Sequence, residues 1–266
     1  QNFTSIKIHI CFLTNNMNSI LWERPPVRLS ISRSELHVWR INLDNINYQL
    51  KPLISLLSSE EKKRSKRFIF DRDRHRYQIT HSMKRFILAN YLDCDPKCLK
   101  FELGKQGKPL LTELQNYLNI QFNISHSHRL ILIAITAKDS IGIDIEYNVK
   151  GISVASLSEI IFSSEEKIIF STLQSEQEKT QAILRCWTRK EAFLKACGIG
   201  LMIDIASIKV DMNKLTEDSI KIFTHAQVQT IACKIFNLDI SDYYIVVVVI
   251  GTFKKKLFYY DAVSIC

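Results

Sequence analysis

Three carboxylates and a lysine stand out by type and spacing. Asp144 and Glu146 lie two apart in Gly142-Ile143-Asp144-Ile145-Glu146, and Glu191 and Lys195 lie four apart in the run Trp187–Lys195. On a strand, Asp144 and Glu146 share one face while Ile143 and Ile145 fill the other. Neighbouring carboxylates repel, and burying them unpaired is costly. A hard cation such as Mg2+, which takes carboxylate and phosphate oxygens, resolves the conflict. An exposed strand face with two solvated acids fits the same word. On a helix, Glu191 and Lys195 are neighbours, with Trp187 one turn earlier on the same side. Alone, they read as a surface ion pair beside a core tryptophan. Beside the Asp-x-Glu strand, they add a third carboxylate and a cation, equipment for metal-assisted phosphoryl transfer.

A second polar word, Phe122-Asn123-Ile124-Ser125-His126-Ser127, offers Ser125 and His126 either as phosphate contacts or as a polar strand start. Adjacent strand residues face opposite sides, so the two are not a catalytic serine–histidine pair. Of only seven glycines, four fall in Gly107-Lys108-Pro109, the Gly142 word and the Trp187–Gly200 word. Such concentration of the most permissive residue suggests close backbone approaches.

The elements that must carry these residues read as follows. Glu35–Ile41 alternates like a strand. Leu50–Leu92 is mostly helical, with Ser58/Ser59 as N-cap, Glu60 and Glu61 in the first turn, and a stop at Asp93–Pro96. Arg129–Thr136 and Ser140–Tyr147 are strands whose short link, Ala137–Asp139, suggests a hairpin. Phe162–Gly198 is helical, and the valine-rich Asp242–Gly251 is a buried strand. The word Ser58-Ser59-Glu60-Glu61-Lys62 recurs as Ser163-Ser164-Glu165-Glu166-Lys167, and the same shift lays Lys84-Arg85-Phe86 on Arg189-Lys190-Glu191. A capped acidic helix start is a common local solution, but two registers in agreement favour a duplicated unit with a shared cleft.

The chain has 266 residues, 46% hydrophobic and 24% charged, which excludes wholesale disorder, a collagen-like repeat and a coiled-coil rod. Its longest apolar run falls far short of the roughly 20 residues of a membrane span. A formal net charge of +9 implies an anionic partner: nucleic acid, a phosphorylated small molecule or an acidic protein surface. Seven cysteines without a paired framework read as free thiols in a reducing compartment, the cytoplasm. Residues 1–16, before the first methionine Met17, read as an extension outside the fold.

The ordered words Gly107-Lys108-Pro109, Ser125-His126-Ser127, Gly142–Glu146 and Trp187-x-x-Lys190-Glu191-Ala192 resemble the 4'-phosphopantetheinyl transferase superfamily, in its large, two-lobed type, from about Leu21 to Gly251. The resemblance implies an α+β fold of two similar α/β lobes in pseudo-twofold arrangement, here divided as 17–138 and 139–266. It implies transfer of the phosphopantetheine arm of coenzyme A to a serine of an acyl or peptidyl carrier protein, releasing adenosine 3',5'-bisphosphate. The metal, Mg2+ or Mn2+, would fall to Asp144, Glu146 and Glu191. Glu191 would also accept the serine proton, and Lys195 would contact the pyrophosphate. Arg76, Lys108, Ser125 and His126 would bind the coenzyme, with Lys62–Arg67 as a further cationic wall. A monomer follows, since the two lobes already build the cleft; no nucleic-acid or membrane partner is implied. The competing readings are a basic nucleic-acid-binding protein, which leaves the three carboxylates unexplained, and a silent carrier-binding module, which would lack one of them.

Overall fold

The structure, a computed structural model, describes residues 20–46, 50–149, 154–200, 203–211, 219–223, 228–252 and 254–262. In chain order the elements are β1 (Glu35–Asn42), α1 (Leu43–Ile46), α2 (Leu50–Ser55), α3 (Ser59–Ser65), α4 (Asp71–Leu92), β2 (Phe101–Leu103), β3 (Pro109–Leu111), β4 (Ile120–Ser127), β5 (Leu130–Ala137) and β6 (Ser140–Tyr147). There follow α5 (Val154–Ile161), α6 (Ser164–Ser171), α7 (Glu176–Cys197), β7 (Ile208–Lys209), β8 (Ser219–Phe223), β9 (Val228–Ala232), β10 (Lys234–Asn237), β11 (Tyr243–Ile250) and β12 (Lys256–Asp261). The expected extension 1–16 lies outside the described residues.

One sheet runs β12-β1-β5-β4 and a second runs β10-β11-β6. Alternate residues of each strand serve different layers. Trp39, Ile41, Ile131, Ile133 and Ile135 pack under α4. Leu36, Val38, Leu132 and Ala134 meet Ile143, Ile145, Ile245 and Val247 between the two sheets. Val246 and Val248 lie with Ala192, Phe193 and Ala196 of α7. The layers therefore stack helix, sheet, sheet, helix, an α+β fold of two like lobes.

The duplication is visible in three dimensions. The shift that lays one SSEEK word on the other also lays β1 on β6, α4 on α7, and the left-handed C-cap Asp93 (φ 48°) on the left-handed C-cap Gly198 (φ 67°). Ser58 and Ser163 each close a capping box with the glutamate three residues on, Glu61 and Glu166. Each glutamate then takes a cation from the long helix 24 residues downstream: Arg85 Nε to Glu61 at 2.5 Å, Lys190 Nζ to Glu166 at 2.6 Å. Under the same shift Asp144 falls on Trp39, Glu146 on Ile41 and Glu191 on Phe86. One scaffold is used twice, and the second copy carries the carboxylates.

Three expectations need correction. β5 and β6 are not a hairpin: β5 pairs with β1 and β4, and β6 pairs with β11. Left-handed Lys138 (φ 69°) turns the chain from one sheet to the other, and Asp139 anchors the turn by accepting from Lys255 Nζ at 2.7 Å. The stretch Phe162–Gly198, read as one helical region, is two helices, α6 and α7, broken after Ser171 where Ser175 caps the second. Finally, β12 lies within the expected second lobe 139–266 in sequence but pairs parallel with β1 of the first. Among the described residues no helix is long and apolar enough to cross a membrane.

Candidate active site

The site forms where β4, β6 and α7 meet. Gly142 makes the approach possible: a Cβ there would stand 2.0 Å from Ala192 O and 2.4 Å from Ala196 N, so only glycine lets α7 lie directly on β6. That contact brings Lys195 over Asp144, with Nζ 2.6 Å from Asp144 Oδ1. From β4, Ser125 Oγ donates to the same oxygen at 3.0 Å and stands 3.1 Å from Lys195 Nζ. Glu146, further along β6, accepts from Trp187 Nε1 at 3.1 Å and from Ser127 Oγ at 3.3 Å. The sheets are laced at this seam by Asn123 Oδ1, which accepts from Ile143 N at 2.9 Å.

Asp144 is 4% exposed, buried where β4, β6 and α7 meet. The alternative of two solvated acids therefore fails for it. Burial raises the pKa of Asp144 against the pull of Lys195; burial and then Asp144 raise that of Glu146; burial raises that of Glu191. Asp144 Oδ2 and Glu191 Oε1 are buried without a hydrogen-bond partner. Two orphaned carboxylate oxygens in a desolvated, acid-rich seam fit a cation. Both oxygens of Glu146, in contrast, are engaged by Trp187 and Ser127, and among the described residues no group of three acidic, histidine or cysteine side chains stands ready to hold a metal. Asp144 and Glu191 could each offer an unpartnered oxygen to a cation, and Glu146, with one hydrogen bond on each oxygen, keeps lone pairs beside them.

A groove of about 480 Å³ opens beside the seam, lined by Phe68, Asp73, Arg76, Tyr77, Thr80, His81 and His126. Burial, then the neighbouring Arg76 guanidinium, lowers the pKa of His126, which faces this groove from the side of β4 opposite Ser125. His81 was not singled out in the sequence; it stacks on Tyr77 at 4.0 Å between ring centroids, and its Nδ1 lies 3.2 Å from Glu61. Its spacing from Tyr77 is one helical turn, a signal that marks a shared face but not a groove. Arg64 reaches over Tyr77 from the basic run Lys62–Arg67, most of which is exposed. A second cavity of about 400 Å³ lies between Gln106–Lys108 and the end of α7 at Leu194–Gly200. Lys108 lines it, yet its ammonium donates to Ile141 O and Lys195 O, each at 2.8 Å. The expected set therefore divides: Asp144, Ser125, Lys195 and Glu191 at the seam, Glu146 beside it, Arg76 and His126 in the groove, and Lys108 behind α7.

Comparison with known proteins gives the following. The profile of the 4'-phosphopantetheinyl transferase superfamily matches residues 140–248, and that of the 4'-phosphopantetheinyl transferase N-terminal region matches residues 44–138. The chain is 37% identical over 198 residues to the 4'-phosphopantetheinyl transferase HetI of Nostoc sp., covering 73% of this chain and 83% of that one. It is 30% identical to the 4'-phosphopantetheinyl transferase Sfp of Bacillus subtilis, covering 64% and 72%. Among solved structures, holo-[acyl-carrier-protein] synthase of Thermotoga maritima aligns over 44% of this chain and 64% of its own at 21% identity, with a TM-score of 0.27, too slight a likeness to bear on the fold.

Proposed function

This chain belongs to the 4'-phosphopantetheinyl transferase superfamily, and from that premise we propose that it moves the phosphopantetheine arm of coenzyme A onto a serine hydroxyl of an acyl or peptidyl carrier protein, with Mg2+ (or Mn2+) as the metal and adenosine 3',5'-bisphosphate as the released product. The observation that carries this reading is the seam itself: Lys195 and Ser125 on one oxygen of buried Asp144, with Asp144 Oδ2 and Glu191 Oε1 unpartnered beside them.

Each residue then has work suited to its surroundings. Arg76 and His126 hold the phosphate-bearing nucleoside end of the coenzyme in their groove through charge-assisted bonds. Lys195, already beside Asp144, presents an ammonium to the pyrophosphate. Ser125 keeps Asp144 oriented and supplies a hydroxyl toward the same oxygens. Glu191, its pKa raised by burial, is a better proton acceptor than an ordinary glutamate and takes the proton of the carrier serine as its oxygen bonds to phosphorus. The bond from that phosphorus to the bridging oxygen breaks, and adenosine 3',5'-bisphosphate leaves. Asp144 and Glu191 would hold the metal, which would supply charge neutralisation for the pyrophosphate oxygens. Partner recognition draws on the net charge of +9, since an acidic carrier surface is attracted to a basic enzyme. The protein works as a monomer in the cytoplasm.

The test is a product balance. With coenzyme A, Mg2+ and an apo-carrier protein, adenosine 3',5'-bisphosphate should appear one for one with modified carrier, and chelation of the metal should stop both. Nucleotide release without carrier modification would reject the reading.

A further inference from the structure

We propose that Lys108 is a positioning residue, a strap from the first lobe that holds the backbone on both sides of the Asp144–Lys195 pair, rather than a ligand of the coenzyme. The proposal rests on the transferase reading of the seam.

Lys108 belongs to the loop before β3, in the first lobe, yet its ammonium lies in the second. It donates to Lys195 O on α7 and to Ile141 O on β6, both at 2.8 Å. The last carbonyls of a helix have no intrahelical partner. At the end of α7 the N–H of Gly198 makes the last i→i−4 bond, to Leu194 O, and left-handed Gly198 (φ 67°) turns the N–H of Ile199 to the same carbonyl instead of to Lys195 O. The Lys195 carbonyl takes the Lys108 ammonium, a cation placed where the helix dipole favours it. Ile141 stands three residues before Asp144 on β6. One ammonium therefore fixes the main chain of both elements whose side chains meet at 2.6 Å.

Two further observations agree. The Lys108 stem lies 3.8 Å from where a Cβ of Gly198 would stand, so it covers the C-cap of α7. Burial lowers the Lys108 pKa to about 8, the cost of taking this ammonium out of water to reach two carbonyls. A phosphate ligand needs its N–H groups aimed at the ligand, whereas two of the three here are committed to main chain.

The strap sets the reach of Lys195, and a misplacement near 1 Å costs about a hundredfold in rate. Lys108→Met should lower kcat for carrier modification by about tenfold or more, leave KM for coenzyme A within about threefold, and leave the preference for coenzyme A over dephospho-coenzyme A unchanged. Lys108→Arg, which can still donate to both carbonyls, should recover part of kcat. A tenfold rise in KM with unchanged kcat would overturn the proposal. A measurement on the unmodified protein stands apart from folding of the variants and from activity: acetylation of individual lysines with acetic anhydride, read by mass spectrometry. Lys108 should react slowly in the free protein and equally slowly with coenzyme A present. Fast reaction in the free protein, suppressed by coenzyme A, would make it a ligand. Failure of the transferase reading would show separately, as absence of carrier modification by the unaltered enzyme.

Discussion

Lys195 Nζ stands 2.6 Å from Asp144 Oδ1, joining α7 of the second lobe to the middle of β6. Everything else at the seam is arranged about that pair, and each neighbour makes a separate prediction.

Glu191→Gln should cost activity and add stability. Burial holds the Glu191 pKa above its ordinary 4.5. An acid whose pKa is raised by folding destabilises the fold once the unfolded group ionises, so the penalty is absent below pH 4.5 and grows as pH rises through the folded value. The neutral amide escapes it. Carrier modification should fall about 10²–10⁴-fold, while Tm at pH 7 without added metal rises and the gain vanishes toward pH 4. A lowered Tm at pH 7 would contradict the direction of the shift.

Gly142→Ala should break the approach of α7 to β6. The new Cβ would meet Ala192 O at 2.0 Å, inside any real contact. Overpacking of this kind costs about 1–3 kcal/mol, and the displaced helix carries Lys195 away from Asp144. Denaturant unfolding and carrier modification should both register the loss; a variant of unchanged stability and rate would show that the helix has room to shift.

Acid should weaken the first lobe through His37. Trp39 Nε1 donates to Tyr91 Oη at 3.0 Å, so the single Tyr91 proton goes to His37 Nδ1 at 2.6 Å, which suits a neutral imidazole. Burial lowers the His37 pKa to about 4 from 6.5. The unfolded chain therefore binds the proton first, and the stability that this histidine gives, complete above pH 6.5, drains away as pH falls toward 4. His37→Gln should flatten the stability curve over that range, as chemical denaturation at several pH values would reveal.

Removing Glu166 alone should be severe. Lys190 is fully buried and pairs with Glu166 at 2.6 Å. Glu166→Ala leaves that ammonium uncompensated, at about 3–5 kcal/mol, whereas changing both to apolar residues of similar volume should recover only part of the loss, because Val210 N and Ser163 N still lack the acceptor that Glu166 gave them. A double variant no better than the single one would mean that the lost acceptors for Val210 N and Ser163 N, and not the stranded ammonium, set the cost.

Much of this architecture was legible in local words. Ser58 and Ser163 announced their caps, the repeat marked a duplicated helical unit, and the spacing of Trp187 from Glu191 placed the two on one side of a helix. What lay hidden depends on distant chain. Strand patterning at Arg129–Thr136 and Ser140–Tyr147 shows which residues are buried but not which sheet buries them, so a two-sheet switch looks like a hairpin. β12 inserts beside β1 from the far end of the sequence, and no local signal records such a pairing. Alternation tells the faces of β6 apart without telling what covers Asp144; Lys195 and Ser125 cover it. Lys108 reads as a free cation until its two carbonyl partners are seen.

Transfer of phosphopantetheine at the Asp144–Lys195 seam can be read by intact-mass measurement of an apo-carrier protein incubated with coenzyme A and Mg2+. The unaltered enzyme should add the mass of one phosphopantetheine group to each carrier molecule, and Asp144→Ala, confirmed folded by its thermal transition, should add none. Equal modification by both proteins, or none by the unaltered enzyme on any carrier protein offered, would contradict the account.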